Sequence, residues 1–378
     1  MATKSKSGKK STSLKKVALK RQDLYVIIAV LVVLVLVAVI LSLYFTGNLS
    51  SILDKLQPEE TPAQTEPADN TPTKPVSGNT NASQRGVSVG TIDKEPITIH
   101  FVYVGQGDAI ILDLPNDEYM LIDAGSTKKP PESTKSAKQI YLEYLDDVVD
   151  GNVIDYMLVT HADQDHVSMM SDVLDNYEVK NIYYNQIADN EYISVSNLYK
   201  TFMSKARAEE GANVYAIDDP SDRTYTFSVG ECDFTVFSPG NDGFTTTDAR
   251  IKNGMSIITL LSYGGRKILF TGDATSEEEE WFIEYTADQD MDVDFVKIAH
   301  HGSETSNTSA FFTYITAEYG IICVGEGNSY GLPKDSALQR IENAGITCYR
   351  TDYEGTIILT LDSDGDFLFA FPDKNAEE

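Results

Sequence analysis

Cysteine is scarce: Cys232, Cys323 and Cys348 are the only three in 378 residues. An odd count excludes a fully paired disulfide framework, and none of the three has the spacing of a cysteine metal site. Cys323 and Cys348 fall in apolar, strand-like runs that can neighbour one another. Both are read as buried free thiols, with a bridge between them as the alternative outside the cell. Histidine is rare too, with five: His100, His161, His166, His300 and His301. Basic residues are outnumbered, 30 Lys and Arg against 58 Asp and Glu, for a net charge of −28. Eight of the basic residues (Lys4, Lys6, Lys9, Lys10, Lys15, Lys16, Lys20 and Arg21) crowd into residues 1–23 beside one acid, Asp23, which leaves 22 basic against 57 acidic beyond. So acidic a remainder repels nucleic acid over a Debye length and offers no broad basic stripe. It suits an exported domain that must stay soluble. No internal repeat, Ser–His pairing or P-loop is found, and Gly105-Gln-Gly107 reads as a strand-end turn rather than a phosphate cradle.

One long apolar run is present. Leu24–Phe45 gives 22 residues without a charge, enough to cross a hydrocarbon core of about 30 Å. The basic flank places the N-terminus in the cytoplasm and everything after Thr46 outside. A cleaved signal peptide is the competing reading, but the run is long and no small-x-small cleavage site follows it. Residues 1–23 are therefore expected as a cytoplasmic tail and 24–46 as a single-pass anchor in the cell membrane. Residues 47–93 are expected as a Pro/Thr/Ser-rich linker with too little apolar surface to fold. Residues 94–378 form the extracellular domain.

That domain opens with strands over Ile97–Val104, Ala109–Leu114 and Tyr119–Ile122. Ile140, Leu142, Leu145, Val148 and Val149 predict a helix over 136–149, ended by Gly151. Asp155–Thr160 is the next strand, a helix starts near Val167, and Ile182-Tyr-Tyr marks a short strand. Strands are expected again over Phe234–Phe237, Ser256–Ser262, Lys267–Thr271, Phe295–Ala299, Gly320–Val324 and Ile346–Tyr349, with a helix over Ser336–Asn343. Ser276 and Glu279 form a capping box for a helix to about Tyr285, which puts Glu277–Glu280 in its solvated first turn.

The chemistry gathers at strand ends. His161, Asp163, Asp165 and His166 leave the tip of the 155–160 strand within six residues, Thr160-HADQDH-Val167. Imidazoles and carboxylates packed so closely repel or compete for protons unless a cation holds them, so the run reads as a metal site. Lys267-Ile-Leu-Phe-Thr-Gly-Asp273 delivers Asp273 from another strand end, and Phe295-Val-Lys-Ile-Ala-His-His-Gly302 delivers His300 and His301 from a third. Ligands brought from several strand ends to one sheet edge sit on a rigid scaffold. His100 reads as a residue that packs or bonds within the sheet, with ligation as the alternative, Asp123 as a brace for the ligand loop, and Asp108 as fixing a turn, with a role near the metals as the alternative. Asn328, Ser329 and Tyr330 either line the cleft or form a turn.

The ordered series HADQDH, Asn253-Gly-Met-Ser256, TGDA and AHHGSETS resembles the metallo-β-lactamase fold. More narrowly it is similar to the hydrolase-like domain at the C-terminus of the competence protein ComEC and its stand-alone relatives. Phe101-Val-Tyr-Val-Gly-Gln-Gly-Asp108-Ala, Leu121-Ile-Asp123-Ala-Gly125, Val324-Gly-Glu-Gly-Asn-Ser-Tyr-Gly-Leu-Pro333 and Arg350-Thr-Asp-Tyr-Glu-Gly355 extend the likeness over about residues 95–372. The resemblance implies an α/β fold, an αββα sandwich, holding two divalent metal ions. His161 and Asp163 would then bind one ion. Asp165, His166 and one of His300 and His301 would bind the other, with His301 favoured, and Asp273 would bridge. Asp165 and His300 are the expected catalytic contacts. Zinc is the first expectation, and three aspartates beside three histidines also suit manganese. Asn253 stands near where many members place a further histidine. Four positions depart from the pattern: Tyr103 for Asp, Val167-Ser-Met-Met170 for small glycines, Glu304 for Lys, and Leu332 for His. The last two remove a cation and a donor from the rim. The expected function is a metal-dependent hydrolase of phosphoester bonds that uses a metal-bridged hydroxide. The alternatives are an exported nuclease acting on DNA, an esterase of phosphocholine-type or cell-envelope polymer substrates, and a binding or sensory ectodomain that has kept the fold without turnover.

Overall fold

The computed structural model describes residues 88–89, 92, 94–185, 196–217, 223–239 and 253–372. The chain divides into two units, Met1–Asn79 and Thr80–Glu378, and all described residues belong to the second. The expected tail and the anchor Leu24–Phe45 lie outside the described residues. Among those residues no helix is long and apolar enough to cross a membrane.

Strands whose apolar residues alternate between two buried faces build this domain. In β3 (Ala109–Leu114), Ala109 and Ile111 enter one core while Ile110, Leu112 and Leu114 enter another. Both faces are covered, so the strand reads as a nearly continuous apolar run. It belongs to a nine-stranded sheet with β1 (Ser88–Val89), β2 (Ile97–Phe101), β4 (Glu118–Ala124), β5 (Val153–Val159), β6 (Glu178–Tyr184), β7 (Asn213–Ala216), β15 (Ile357–Leu361) and β16 (Phe367–Ala370), in the order β1-β16-β15-β2-β3-β4-β5-β6-β7. Ser88 and Val89 fall in the stretch expected as linker, yet they pair with Leu368 and Phe367.

The second sheet has seven strands: β8 (Thr224–Val229), β9 (Cys232–Phe237), β10 (Ile258–Tyr263), β11 (Arg266–Phe270), β12 (Phe295–Lys297), β13 (Tyr319–Ile322) and β14 (Thr347–Arg350), in the order β14-β13-β12-β11-β10-β9-β8. Ile97, Ile99, Phe101, Phe234, Phe270 and Phe295 meet in the core between the sheets. The opposite face of the first sheet is covered by α1 (Ala137–Val148), α3 (Met170–Asn176) and α4 (Asn197–Ala206) through Leu145, Val173 and Phe202. The second sheet is covered by α5 (Ser276–Tyr285), α6 (Ser309–Ile315) and α7 (Asp335–Asn343) through Phe282, Phe311 and Ile341. Two shorter helices are α2 (Gln164–Val167) and α8 (Thr351–Glu354). The result is the expected αββα sandwich. β4 and β5 run parallel, as do β11, β12 and β13, so the loops after them open at one edge, where α/β sheets commonly bind ligands.

His100 sits on β2 facing α1, with its Nδ1 hydrogen-bonded to the Tyr144 hydroxyl at 2.8 Å. Burial pushes its imidazole down from the usual 6.5 to about 4. The ring therefore stays neutral in the fold while the unfolded chain binds a proton. Stability is lost as pH falls from 6.5 towards 4, by up to about 3 kcal/mol. His100→Gln is expected to flatten the stability profile across that window in denaturant titrations. A wild-type slope in the variant would assign the loss to other groups.

The expected first turn of α5 needs correction. Thr275 is the N-cap, and Glu278 and Glu279 are buried rather than solvated. Glu279 forms no capping box with Ser276. It turns inward and accepts hydrogen bonds from the amides of Asn307 and Thr308. Cys323 lies one residue past β13 and Cys348 on β14 pairs with Gly320, so the two strands do neighbour, but all three cysteines are free.

Candidate metal centre

The bed of the site is backbone. Gly125 and Asp108 are joined by a hydrogen bond from Gly125 N to Asp108 O, and Asp108 N donates to Asp165 O, both at 2.9 Å. A Cβ on Gly125 would lie 2.2 Å from the Asp165 carbonyl carbon and the His166 nitrogen, so the ligand loop rests directly on this glycine. The loop opens where β5 ends. Thr160 N donates to Asp123 Oδ1 at 2.8 Å and its hydroxyl donates to Asp123 Oδ2 at 2.6 Å. Asp123 itself has φ of +57°, a left-handed conformation that only a well-determined site holds in a non-glycine residue. The single turn of α2 then brings His166 inward.

The other histidines come from β12. His300 and His301 both have φ of +50°, and their loop is clamped from behind. Ala299 N donates to Asn307 Oδ1 at 3.0 Å, and Asn307 Nδ2 returns a bond to Ala299 O at 2.9 Å. Asn307 is itself held by Glu279. The inward glutamate of α5 therefore supports the histidine loop through one intermediary. Glu279→Ala would strand two amides, and the expected cost is about 2–4 kcal/mol, measured as a lower denaturant midpoint. A loss below about 1 kcal/mol would show that the amides find other acceptors.

Three imidazoles are oriented alike. His161 Nδ1 meets the Thr160 hydroxyl at 3.0 Å, whose own proton goes to Asp123, so the ring nitrogen is the donor. His166 Nδ1 donates to Asp123 Oδ2 at 2.7 Å, and His301 Nδ1 donates to the Cys323 carbonyl at 2.7 Å. Each partner leaves Nδ1 protonated and Nε2 as a lone pair in the neutral ring. All three Nε2 atoms are buried without a hydrogen bond, and all three turn towards Asp273. Asp273 Oδ1 is 3.0 Å from His166 Nε2 and 3.7 Å from His301 Nε2, while Oδ2 is 3.9 Å from His161 Nε2. The 3.0 Å contact is not aligned as a hydrogen bond. Asp165 Oδ2 lies 3.4 Å from His301 Nε2.

Charge points the same way. Burial alone would lower His166 and His301, but Asp273 and Asp108, joined at His166 by Asp123 and at His301 by Asp165, push both above the usual imidazole range. Burial, aided by the neighbouring His166, holds His161 well below it. Asp273 is buried, yet the surrounding histidines hold its carboxyl well below the usual range. The cluster thus carries a surplus of negative charge. Three buried Nε2 atoms on which a cation would take the place of protons, a central carboxylate and tied Nδ1 edges are the donor set and support that divalent cations require, so these residues fit such ions.

His161, His166 and Asp273 form one group of ligand atoms within 4.8 Å of one another, and Asp108, His166 and His301 form a second. Asp163, Asp165, Asn253, His300, Tyr330 and Leu332 line the cavity above them. The cavity measures about 290 Å³. All the expected ligands are brought to one place, although Asp163 and Asp165 belong to neither group. The paired histidines differ in geometry. His301 is buried with its Nε2 inward. His300 stands at the mouth, 27% exposed by side chain, with Asn253 Nδ2 at 3.1 Å from its Nε2.

Asp108 fits both readings given for it: its backbone fixes the turn, and its side chain is buried under the cluster. There it meets Lys297, which is not among the expected site residues. Lys297 Nζ is 2.5 Å from Asp108 Oδ2 and donates to Gly272 O at 2.6 Å. Burial opposes its charge, but Asp108 and Asp273 overcome that and raise it above the usual lysine range. A lysine in the otherwise apolar run Phe295-Val-Lys-Ile-Ala was the available signal.

This sandwich, with histidines and aspartates meeting at its open edge, defines a class. The metallo-beta-lactamase superfamily model matches residues 102–326, and the chain belongs to that superfamily. Its members are generally metal-dependent hydrolases and bind divalent metals. Over 269 residues the chain is 26% identical to ComE operon protein 3 of Bacillus subtilis (strain 168), covering 68% of this chain and 32% of that protein. Over 255 residues it is 24% identical to Recombination protein 2 of Haemophilus influenzae, covering 68% and 27%. The matched part spans about a third or less of these relatives. Among solved structures, the metallo-beta-lactamase fold protein YhfI from Bacillus subtilis superposes with a TM-score of 0.43 at 11% identity, covering 68% of this chain and 96% of that one.

Proposed function

We propose that this chain is a membrane-anchored, extracellular metal-dependent hydrolase of phosphoester bonds, with phosphodiesters as its first substrate class. The observation that carries the reading is the convergence of three buried Nε2 atoms on Asp273, each with its Nδ1 tied down. His161 and Asp163 would hold one divalent cation and Asp165, His166 and His301 the other, with Asp273 between them. Zinc is the first ion to test and manganese the second, because the set is rich in oxygen. Such ions supply Lewis-acid activation of water and stabilisation of an anionic transition state.

The remaining residues orient the substrate. Burial pushes His300 below the usual imidazole range, so it is neutral near pH 7. Its Nε2 lies 3.1 Å from Asn253 Nδ2, which supports substrate contact rather than metal binding. Asp165 lines the cavity beside His301 and is assigned to holding the second cation. No Lys or Arg is among the described lining residues, and Tyr330 and Leu332 offer an apolar wall. Among the described lining residues, that lack of cations favours a small diester over a long polyanion. The anchor rests on the uncharged run Leu24–Phe45.

The test is hydrolysis of bis-p-nitrophenyl phosphate by the full chain after chelation, with zinc or manganese added back. Cation-dependent turnover is expected. Bound metal without turnover on any ester would instead favour a binding or sensory ectodomain. Faster cleavage of DNA than of small diesters would favour an exported nuclease, the reading that the competence-related names of its relatives suggest.

A further inference from the structure

We propose that Lys297 balances the charge beneath the metal cluster, fixing at two the number of divalent cations that leave the site neutral. The inference rests on the two-cation reading above. Lys297 is the last residue of β12 and is fully buried, a rare place for a lysine. Its Nζ reaches Asp108 Oδ2 at 2.5 Å, Gly272 O at 2.6 Å and Asp273 Oδ1 at 3.7 Å. Asp108 presents its other oxygen, which has no hydrogen bond, to His301 Nδ1 at 3.3 Å, and its Oδ2 lies 3.7 Å from His166 Nδ1. The pair thus touches the back of two candidate ligands and the central carboxylate together.

A buried ion pair rarely adds stability over apolar residues of the same volume. Phe295 and Val296 beside it show that this strand accepts apolar side chains, so the pair needs another reason. Charge supplies one. Among the described residues, Asp108, Asp123, Asp163, Asp165 and Asp273 are the carboxylates in or under the cluster. Burial pushes the Glu278 carboxyl well above the usual carboxylate range, and it is not counted. With neutral water rather than hydroxide between them, two divalent cations on neutral histidines would leave one negative charge over, and Lys297 is the fixed cation that meets it.

Charge balance predicts opposite effects for the two partners, which a packing role would not. Asp108→Asn leaves Lys297 unpaired beside Asp273 and should weaken affinity for the second cation about tenfold or more. Lys297→Met leaves surplus negative charge. It should hold or tighten cation affinity while destabilising the metal-free protein, so that the rise in Tm on adding zinc becomes larger. The double substitution, neutral at both positions, should return cation affinity to within about threefold of wild type, a departure from additivity expected only of coupled residues. The measurement is chelator-competition titration of the full chain with zinc, then manganese, alongside thermal unfolding with and without the ion.

Weakening by both single substitutions, or a double variant as weak as Asp108→Asn, overturns this inference alone. A wild-type chain that binds no cation overturns the two-cation reading and this inference with it. Should Lys297→Met fail to fold, the comparison of Asp108→Asn with the double variant decides by the same criterion.

Discussion

Asp273→Asn is expected to abolish cation-dependent hydrolysis, lowering kcat/KM by about a thousandfold or more, on the order of 4 kcal/mol of transition-state stabilisation. The size follows from position. Asp273 faces His161 and His300 with one oxygen and His166 and His301 with the other, so one substitution weakens both halves of the centre. An asparagine keeps the volume but lacks the charge that both cations would share. Metal analysis of the variant should show both ions lost or held far more weakly, with a folded chain by circular dichroism. Retained metal at wild-type affinity with wild-type turnover would remove Asp273 from the centre.

Gly125→Ala is expected to be nearly as severe by a different route. Its Cβ would lie 2.2 Å from backbone atoms of Asp165 and His166, and backbone cannot swing aside as the end of a side chain can. The ligand loop must lift off the Asp108–Gly125 bed, which breaks the bond from Asp108 N to Asp165 O and moves His166 away from Asp123. We expect a stability loss of about 3 kcal/mol or more and a collapse of metal affinity. The discriminating comparison is Gly151→Ala. That glycine also has positive φ but nothing within 4 Å of an added Cβ, so only backbone strain remains, about 1–2 kcal/mol, with metal binding unchanged. Equal effects at the two positions would contradict the role given to close packing at Gly125.

Much of this site was legible because its chemistry is written in short runs. The HADQDH segment, the Asp273 strand end and the paired histidines each follow an apolar strand, and parallel β11 and β12 bring their ends to one edge whatever the rest of the chain does. Asp123 was legible as a brace for the same reason. What escaped was set by three-dimensional packing rather than local pattern. Glu277–Glu280 look like a solvated first turn, yet the rotation of α5 on its sheet turns Glu278 and Glu279 inward. No periodicity in four consecutive glutamates says which two will be buried. Asp108 is far in sequence from Lys297, so neither residue alone reveals the pair. Helix α6 and the hairpin β15–β16 were not expected although local signals mark them: Thr308 caps α6, Gly365 turns the hairpin at positive φ, and Ile357, Leu359 and Leu361 alternate as a half-buried strand does.

The most direct measurement is an anomalous-scattering map from crystals grown with zinc or manganese. The account predicts metal peaks at about 2.0–2.2 Å from the Nε2 atoms of His161, His166 and His301, with Asp273 touching both ions. Peaks absent from this cluster, or ligated through His300 in place of His301, would contradict it.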